Sequence, residues 1–494
     1  MLCLILFVLL VILLLIKLSK TYSYWTERGV KQRKQTYLLG DNGKVFLKKE
    51  SFFDMITSIY NAFPEERYIG MYQGLLPTLV IKDPDLIKNI AIKDFDHFTD
   101  HQQVIPNGID DVWAKNLLTL KGDYWRQMRA TLSPSFTSVK MKMMFTLIAE
   151  TLKFYEDYLK KRDHTESIEL KDFFTRFTND AIATVAFGLK CDSINNKDNE
   201  FYLMGKDATN FGLKRNLAVF AYLIMPKIAS FFNIKIFPTK ITNFFKNLIN
   251  KTIRMREEND IIRPDMIHLL LEAKKDGFEL SDETITSQAV IFFFAGFESV
   301  ATLLTFMGYE LAINPEVQEK LQKEIDETLK ECENRNLTYD ALTKMKYLDM
   351  VINETLRKWP TLATDRVCTK YYKIEPIQNE KDIIIQPGDV VWLPIAAIQR
   401  DPKYFENPDK FDPERFNEKN KEKIKPFTYF PFGLGPRTCI GSRLALLEAK
   451  IAFFNILKDF NFVPCEKTEI PLKISKDSFG FVPQNGLWID IKPR

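Results

Sequence analysis

The ten residues Phe432-Gly433-Leu434-Gly435-Pro436-Arg437-Thr438-Cys439-Ile440-Gly441 set one thiol in a glycine-rich turn, directly ahead of an apolar segment predicted to begin a helix near Ser442. Glycine lets a backbone turn sharply and approach a flat ligand closely. A cysteine at a helix N-terminus beside Arg437 sits in positive potential, which lowers a thiol pKa, and the thiolate is the form that binds metal. The plain alternative for a lone cysteine is a small buried hydrophobe. The pattern FxxGxRxCxG argues against it, because a chance match in a chain of this composition has a probability on the order of 10⁻⁵ to 10⁻⁴. The other cysteines, Cys3, Cys191, Cys332, Cys368 and Cys465, are widely spaced, as reduced thiols in a cytosolic compartment are. The histidines (His97, His101, His164, His268) show no spacing that pairs one with a nucleophilic cysteine, which disfavours a thiol hydrolase.

A second place for chemistry is 289–304, AVIFFFAGFESVATLL, apolar nearly all round and read as a buried helix, yet interrupted by Glu298 and Ser299. The local reading is that Ser299 bonds back to the Ala295 carbonyl and Glu298 finds a structural partner; the functional reading is an acid and hydroxyl that move protons. Glu354 and Arg357, three apart, share a helix face and can pair, although most such pairs are surface contacts worth under ~1 kcal/mol. Trp125 and Arg129 offer an indole N–H and a guanidinium, donors suited to a carboxylate.

Taken together and in their order along the chain, the Trp125/Arg129 helix, Glu354/Arg357, the segment Phe411-Asp412-Pro413-Glu414-Arg415-Phe416 and the cysteine loop resemble the cytochrome P450 superfamily over nearly the whole chain. The resemblance implies an α-rich haem fold, mainly α with small β-sheets, and haem b held by Cys439, whose thiolate would favour O–O cleavage. It implies that Trp125, Arg129, Arg437 and Arg366 meet the haem propionates, and that Phe432, Gly441 and Ala295 also border the haem. Glu354, Arg357 and Arg415 would form a buried charge triad beneath it. Ala295 and Gly296 match the oxygen-binding motif, with Glu298 and Ser299 as the proton-relaying pair. Here Ser299 replaces the usual threonine and Val300 a frequent second hydroxyl, so tight coupling of oxygen reduction to product is not assured. Substrate-facing positions, assigned by place relative to these motifs, are Phe292, Phe293, Ala363 and Phe479; an aromatic stripe is otherwise core.

The elements that must position these residues read as follows. Periodic apolar stretches near 136–160, 284–313 and 315–331 predict helices, and β-branched runs at 78–83, 382–393 and 486–491 predict strands, the second hinged at Pro387-Gly388. The polar stretches 161–167, 193–199 and 417–425 read as loops. Residues 217–238, broken by Pro226, are either a roof over the substrate or a surface dipping into a membrane.

Residues 2–16 carry no charge, and the basic residues Lys17, Lys20, Arg28, Lys31, Arg33 and Lys34 follow them. That asymmetry predicts a signal-anchor helix over 1–25 and a single haem-binding catalytic domain over 26–494, on the cytosolic face of the endoplasmic reticulum; a cleaved signal peptide is the competing reading of so short a run. The hinge after it, ERGVKQRKQTYLLG, lacks the proline-rich stretch usual in microsomal relatives, while RGVKQ and the motif spacing look most like insect members of the xenobiotic-metabolising clan. Forty Phe among 494 residues supply a large core, and a net charge of +4 with no stripe of basic and stacking residues excludes a nucleic-acid binder.

No flavin or dinucleotide fingerprint is present, so the resemblance implies electrons from NADPH–cytochrome P450 reductase, with a cytochrome b-type donor as a further partner. The reductase would dock on a basic face including Lys121, Arg126 and Lys140. The expected reaction is insertion of one oxygen atom from dioxygen into a small hydrophobic substrate, xenobiotic or endogenous and lipid-like. Two other readings stay open on the residues alone: a haem-thiolate isomerase or lyase, and a membrane-bound haem protein that binds hydrophobic ligands without turnover.

Overall fold

The computed structural model describes residues 5, 16–210, 212–260, 263, 265–275, 280–333, 336–377, 380–478 and 480–494. Most of the expected anchor, and Phe479, lie outside the described residues.

Helices dominate. Those that position the site are α1 (Gly122–Leu132), α2 (Ser138–Lys161), α3 (Leu170–Ile182), α4 (Asp282–Phe294), α5 (Val300–Ile313), α6 (Lys346–Lys358) and α7 (Ser442–Leu457). The spacing-based helices at 136–160 and 315–331 form as α2 and as Pro315–Glu331. The 284–313 helix starts where Ser281 accepts the Thr284 N–H and ends at Asn314-Pro315, where proline cannot continue it. Its interior holds a surprise: Ala295–Ser299 is a π-turn joining α4 to α5. Sequence periodicity does not resolve one inserted residue in so uniformly apolar a helix.

Three small sheets complete the fold. Strands β1 (Tyr68–Gln73), β2 (Leu76–Ile81), β4 (Thr364–Val367) and β7 (Val390–Leu393) make a four-stranded sheet in the order β1-β2-β7-β4, β2 and β7 running parallel. Strands β3 (Ile168–Glu169), β9 (Trp488–Pro493) and β8 (Phe460–Pro464) make a second sheet, and β5 (Tyr372–Ile374) pairs with β6 (Ile383–Ile385) in a third. The run 382–393, read as one hinged strand, is two strands in different sheets. Gly388 at φ +97° turns the chain between them, a conformation that L side chains avoid. Of the expected loops, 417–425 contains one helical turn, Glu418–Lys421, nucleated by the Asn417 side chain accepting the Asn420 N–H.

The apolar interior divides at the π-turn. Ile285, Val290, Phe293 and Phe297 pack with Phe187, Phe201 and Phe245, whereas Val300, Leu304, Phe306 and Met307 pack with Phe174, Ile352 and Phe453. Ile440, next to Cys439, is packed against both clusters, so the cysteine loop lies at their seam.

One buried group was not anticipated. Glu448, on α7, is fully buried, neither carboxylate oxygen has a hydrogen-bond partner among the described residues, and burial pushes its pKa up to about 8. The native protein therefore keeps a proton that the unfolded chain, titrating near 4.5, gives up. Stability from this site is complete below that lower value and falls as pH rises towards 8, by about 1.4 kcal/mol per unit. Glu448→Met, measured by denaturant unfolding, is expected to match the wild type near pH 5. At pH 8 it is expected to exceed the wild type by roughly 2–4 kcal/mol.

Candidate functional site

The cysteine loop is held by its own backbone. Cys439 donates its N–H to Phe432 O (2.8 Å), Thr438 to Gly435 O (2.9 Å) and Gly433 to Phe430 O (2.9 Å). Gly435 is obligatory: at φ +69° a Cβ there would sit 1.8 Å from Ala91 O. Gly441 is different. Its φ is ordinary (−89°) and the nearest protein atom to a Cβ would be 3.9 Å away, so neither backbone nor neighbours demand glycine; the open side suits a flat group laid against the loop.

Cys439 is exposed on the loop, and Ala295 and Ser299 are exposed on the π-turn. Burial raises the Cys439 thiol above its ordinary range, against the pull of the Gly441 and Ser442 N–H groups and the Arg129 guanidinium. This corrects the expectation of a lowered pKa and of Arg437 as the neighbouring charge. The loop presents the sulfur, and a bound metal ion would take off the proton. Among the described residues no cluster of three or more His, Cys, Asp or Glu side chains could hold a metal, so an ion at Cys439 must arrive with its other ligands.

The four expected propionate donors separate into two kinds. Arg366 is fully buried, its Nε has no partner among the described residues, and burial lowers its pKa to about 10. Burial likewise lowers Arg129, opposed only by the Cys439 charge. The Arg366 Nη groups bond Asp365 O (2.6 Å), Thr364 Oγ1 (3.3 Å) and Leu434 O (3.2 Å), but among the described residues neither arginine forms an ion pair with a carboxylate, which fits an anionic cofactor edge. Arg437, by contrast, is committed within the protein. Its Nε reaches Thr99 O (2.8 Å), Nη2 reaches Leu120 O (2.8 Å) and Nη1 reaches Leu117 O (3.3 Å), with Asp100 at 3.7 Å. Its guanidinium carbon lies 3.9 Å from the Trp125 ring centroid. Arg437 thus braces the loop against α1, and Trp125, almost fully buried, is the surface it stacks on.

On the opposite side, Ser299 donates to Ala295 O (2.5 Å), and Glu298 is engaged by Lys171 Nζ (2.6 Å). The local reading of both side chains is therefore what the geometry contains. Phe293 is core: it is fully buried, with Phe201 at 4.9 Å, Phe245 at 5.0 Å and Phe297 at 5.2 Å between ring centroids. That removes it from the substrate-facing set, because its ring is consumed by the aromatic cluster. Phe292, stacked on Phe136, and Ala363 are partly exposed.

The charge triad forms. Arg357 donates from Nε to Glu354 Oε2 (2.7 Å) and from Nη2 to Oε1 (2.8 Å), and Arg415 Nε lies 3.4 Å from the same Oε1, which also accepts the Asp412 N–H. A residue far away in the chain carries this to the loop. Gln399, fully buried, donates to Leu356 O and Arg357 O while its Oε1 accepts the Phe430 N–H (2.9 Å), at the start of the cysteine turn. Nothing in composition or spacing marks it, since glutamine is ordinarily a surface residue. Gln399→Leu leaves these groups unpaired and is expected to cost about 2–4 kcal/mol, read as a lower denaturant midpoint with a share of the protein failing to retain haem. A second buried charge, Glu310, is likewise paired by Lys358 Nζ and Trp359 Nε1, each at 2.8 Å.

The family model described as Cytochrome P450 matches residues 42–489. The chain is 44% identical to cytochrome P450 9e2 of Blattella germanica, covering 96% of this chain and 94% of that protein. It is 40% identical to probable cytochrome P450 9f2 of Drosophila melanogaster, covering 96% of each. With cytochrome P450 6k1 of Blattella germanica it is 35% identical over 94% of this chain and 92% of the relative.

Proposed function

The chain belongs to the cytochrome P450 family and is a haem-thiolate monooxygenase that takes electrons from a redox partner and acts on hydrophobic compounds; from that premise we propose that Cys439 is its axial ligand and that Arg366 and Arg129, with Trp125, hold the haem propionates. The observation that carries this is the pairing of one accessible, backbone-cradled cysteine with a fully buried Arg366 and a half-buried Arg129, neither of which forms an ion pair with a carboxylate among the described residues. When bound, the haem supplies the activation of dioxygen and the insertion of one oxygen atom into the substrate. The chain's residues orient and gate that chemistry. Phe432 O fixes the turn through the Cys439 N–H, Gly441 leaves the flat face open, and Arg437 ties the loop to α1 by stacking on Trp125. Ala295 keeps the opposite side free of bulk, while Glu298 and Ser299 are the groups from which protons would be passed inward. Phe292 and Ala363 border the substrate, a xenobiotic or endogenous lipid-like compound.

The chain is proposed to sit on the endoplasmic reticulum through residues 1–25, with 26–494 as one cytosolic domain. Leu217, Ile228 and Phe231 on the helices Leu213–Ile224 and Pro226–Phe231, with Met225 between them and Phe232 just after, are exposed, which supports the membrane-dipping reading of 217–238. The N-terminal segment reaches the same face, since Tyr22 bonds Gly74 O and a Cβ on Gly74 would lie 3.0 Å from Ile224. The one helical span long and apolar enough to cross a bilayer among the described residues, Asp282–Ile313, is instead the central core helix.

Electrons are proposed to come from NADPH–cytochrome P450 reductase, with a cytochrome b-type donor as a second source, docking near Lys121, Lys140 and Arg126. Arg126 is already paired with Asp96 at 2.7 Å, which leaves Lys121 and Lys140 as the freer charges. Reconstitution with that reductase in phospholipid vesicles tests the reading. NADPH consumption should give oxygenated product. Product formed without NADPH would indicate an isomerase, and ligand binding without either would indicate a non-turnover haem protein.

A further inference from the structure

A π-turn frees backbone carbonyls that an α-helix would have satisfied, and in a buried helix each must find another donor. Here one such donor comes from the neighbouring helix α3, which also holds the side chain next to it. Thr178 Oγ1, fully buried on α3, donates to Phe297 O at 2.8 Å. Seven residues earlier, on the same side of α3, Lys171 Nζ reaches Glu298 Oε1 at 2.6 Å and Thr302 Oγ1 at 2.8 Å. Thr302 in turn donates to Glu298 O at 2.8 Å. At the other end of α3, Ile182 lies so close to Gly296 that a Cβ there would come within 2.8 Å of its Cδ1.

We propose that α3 sets the π-turn and the place of Glu298, with Lys171 and Thr178 acting as positioning residues for proton delivery on the oxygen side of the haem. Among the described residues, neither side chain bonds to the cysteine loop. Thr178 holds the widened backbone, and Lys171 holds the Glu298 carboxylate as a charge partner and steers it. The Lys171–Glu298 pair is only partly buried, with side chains 20% and 38% exposed, so it can open and close without unfolding the core. This rests on the monooxygenase reading of Glu298 and adds the element that controls it.

The test compares Lys171→Met, Lys171→Arg, Thr178→Val, Thr178→Ser and Glu298→Gln in the haem-loaded, full-length protein. Hydrogen exchange of peptides spanning 295–303 reads the clamp directly. It should quicken about tenfold in Lys171→Met and Thr178→Val and stay within twofold of wild type in Lys171→Arg and Thr178→Ser. With reductase and a turned-over substrate, Lys171→Met should lower kcat several-fold with KM unchanged, diverting NADPH from product to hydrogen peroxide. Lys171→Arg should restore product yield. Adding Lys171→Met to Glu298→Gln should produce no further loss, because Lys171 acts through that carboxylate.

Unchanged exchange and unchanged product yield in Lys171→Met, with the thiolate-type carbon-monoxide spectrum intact, would overturn the assignment. An additive loss in the double variant would do the same. Absence of that spectrum in the wild type would instead sink the haem-thiolate assignment of Cys439. Should Lys171→Met fail to load haem, exchange in Thr178→Val against Thr178→Ser decides the matter.

Discussion

Cys439→Ala is expected to give a folded protein that forms no product and whose reduced form, exposed to carbon monoxide, lacks the red-shifted Soret band of a thiolate complex. The two halves of that expectation have separate causes. The loop does not depend on the sulfur for its shape: Cys439 contributes its N–H to Phe432 O, Gly435 fits beneath Ala91 O, and Arg437 ties the turn to the Leu117–Leu120 carbonyls. Removing one accessible thiol from such a frame costs on the order of 1 kcal/mol or less. Chemistry has no such reserve, since among the described residues no cluster of potential protein ligands could hold a metal ion in its place. The measurement is paired: far-ultraviolet circular dichroism and denaturant midpoint for the fold, the carbon-monoxide difference spectrum for the ligand. A thiolate band surviving in Cys439→Ala would remove Cys439 as the ligand and direct attention to the remaining cysteines.

What could be read in the amino-acid order was whatever is local. The cysteine turn, the Glu354/Arg357 pair and Trp125/Arg129 each occupy a few consecutive residues or one helix face, so spacing alone juxtaposes them, and the structure pairs Glu354 with Arg357 and with Arg415 as expected. What escaped is what tertiary packing brings together. Gln399 joins α6 to the cysteine turn across 31 residues, and Lys171 reaches Glu298 across 127. Direction is the other blind spot. Phe292 and Phe293 are adjacent and alike, yet helical rotation puts Phe293 in the aromatic core and leaves Phe292 half-buried against Phe136. Arg437 matched a haem-contact position, but which acceptors a guanidinium meets depends on carbonyls some 320 residues away in sequence. The isolated carboxyl of Glu448 gives no sequence signal because burial, not neighbours, sets its state.

Arg357→Lys should be the most damaging single change to stability, costing about 3–5 kcal/mol although it keeps the charge. Arg357 is fully buried and uses a planar fork: Nε and Nη2 clasp both oxygens of Glu354, Nη1 bonds Gln399 O at 3.0 Å, and Nη2 also reaches Pro408 O at 2.7 Å. A single ammonium on a flexible stem that ends short of the guanidinium Nη atoms cannot meet these acceptors at once, so Glu354, the buried Gln399 carbonyl and the half-buried Pro408 carbonyl lose donors. Arg415→Lys should cost far less, about 1 kcal/mol. Its contact to Glu354 is a single 3.4 Å bond, and its second bond, to Asn407 O, is exposed. Removing both charges in Glu354→Leu with Arg357→Met should recover part of the loss, because a buried pair costs most when one half is left alone. Haem content and denaturant midpoint across these variants give the order Arg415→Lys mildest, the double variant intermediate, and Arg357→Lys worst. An Arg357→Lys protein with unaltered midpoint and full haem content would mean that the triad is not what holds the cysteine loop, and the link through Gln399 would lose its physical basis.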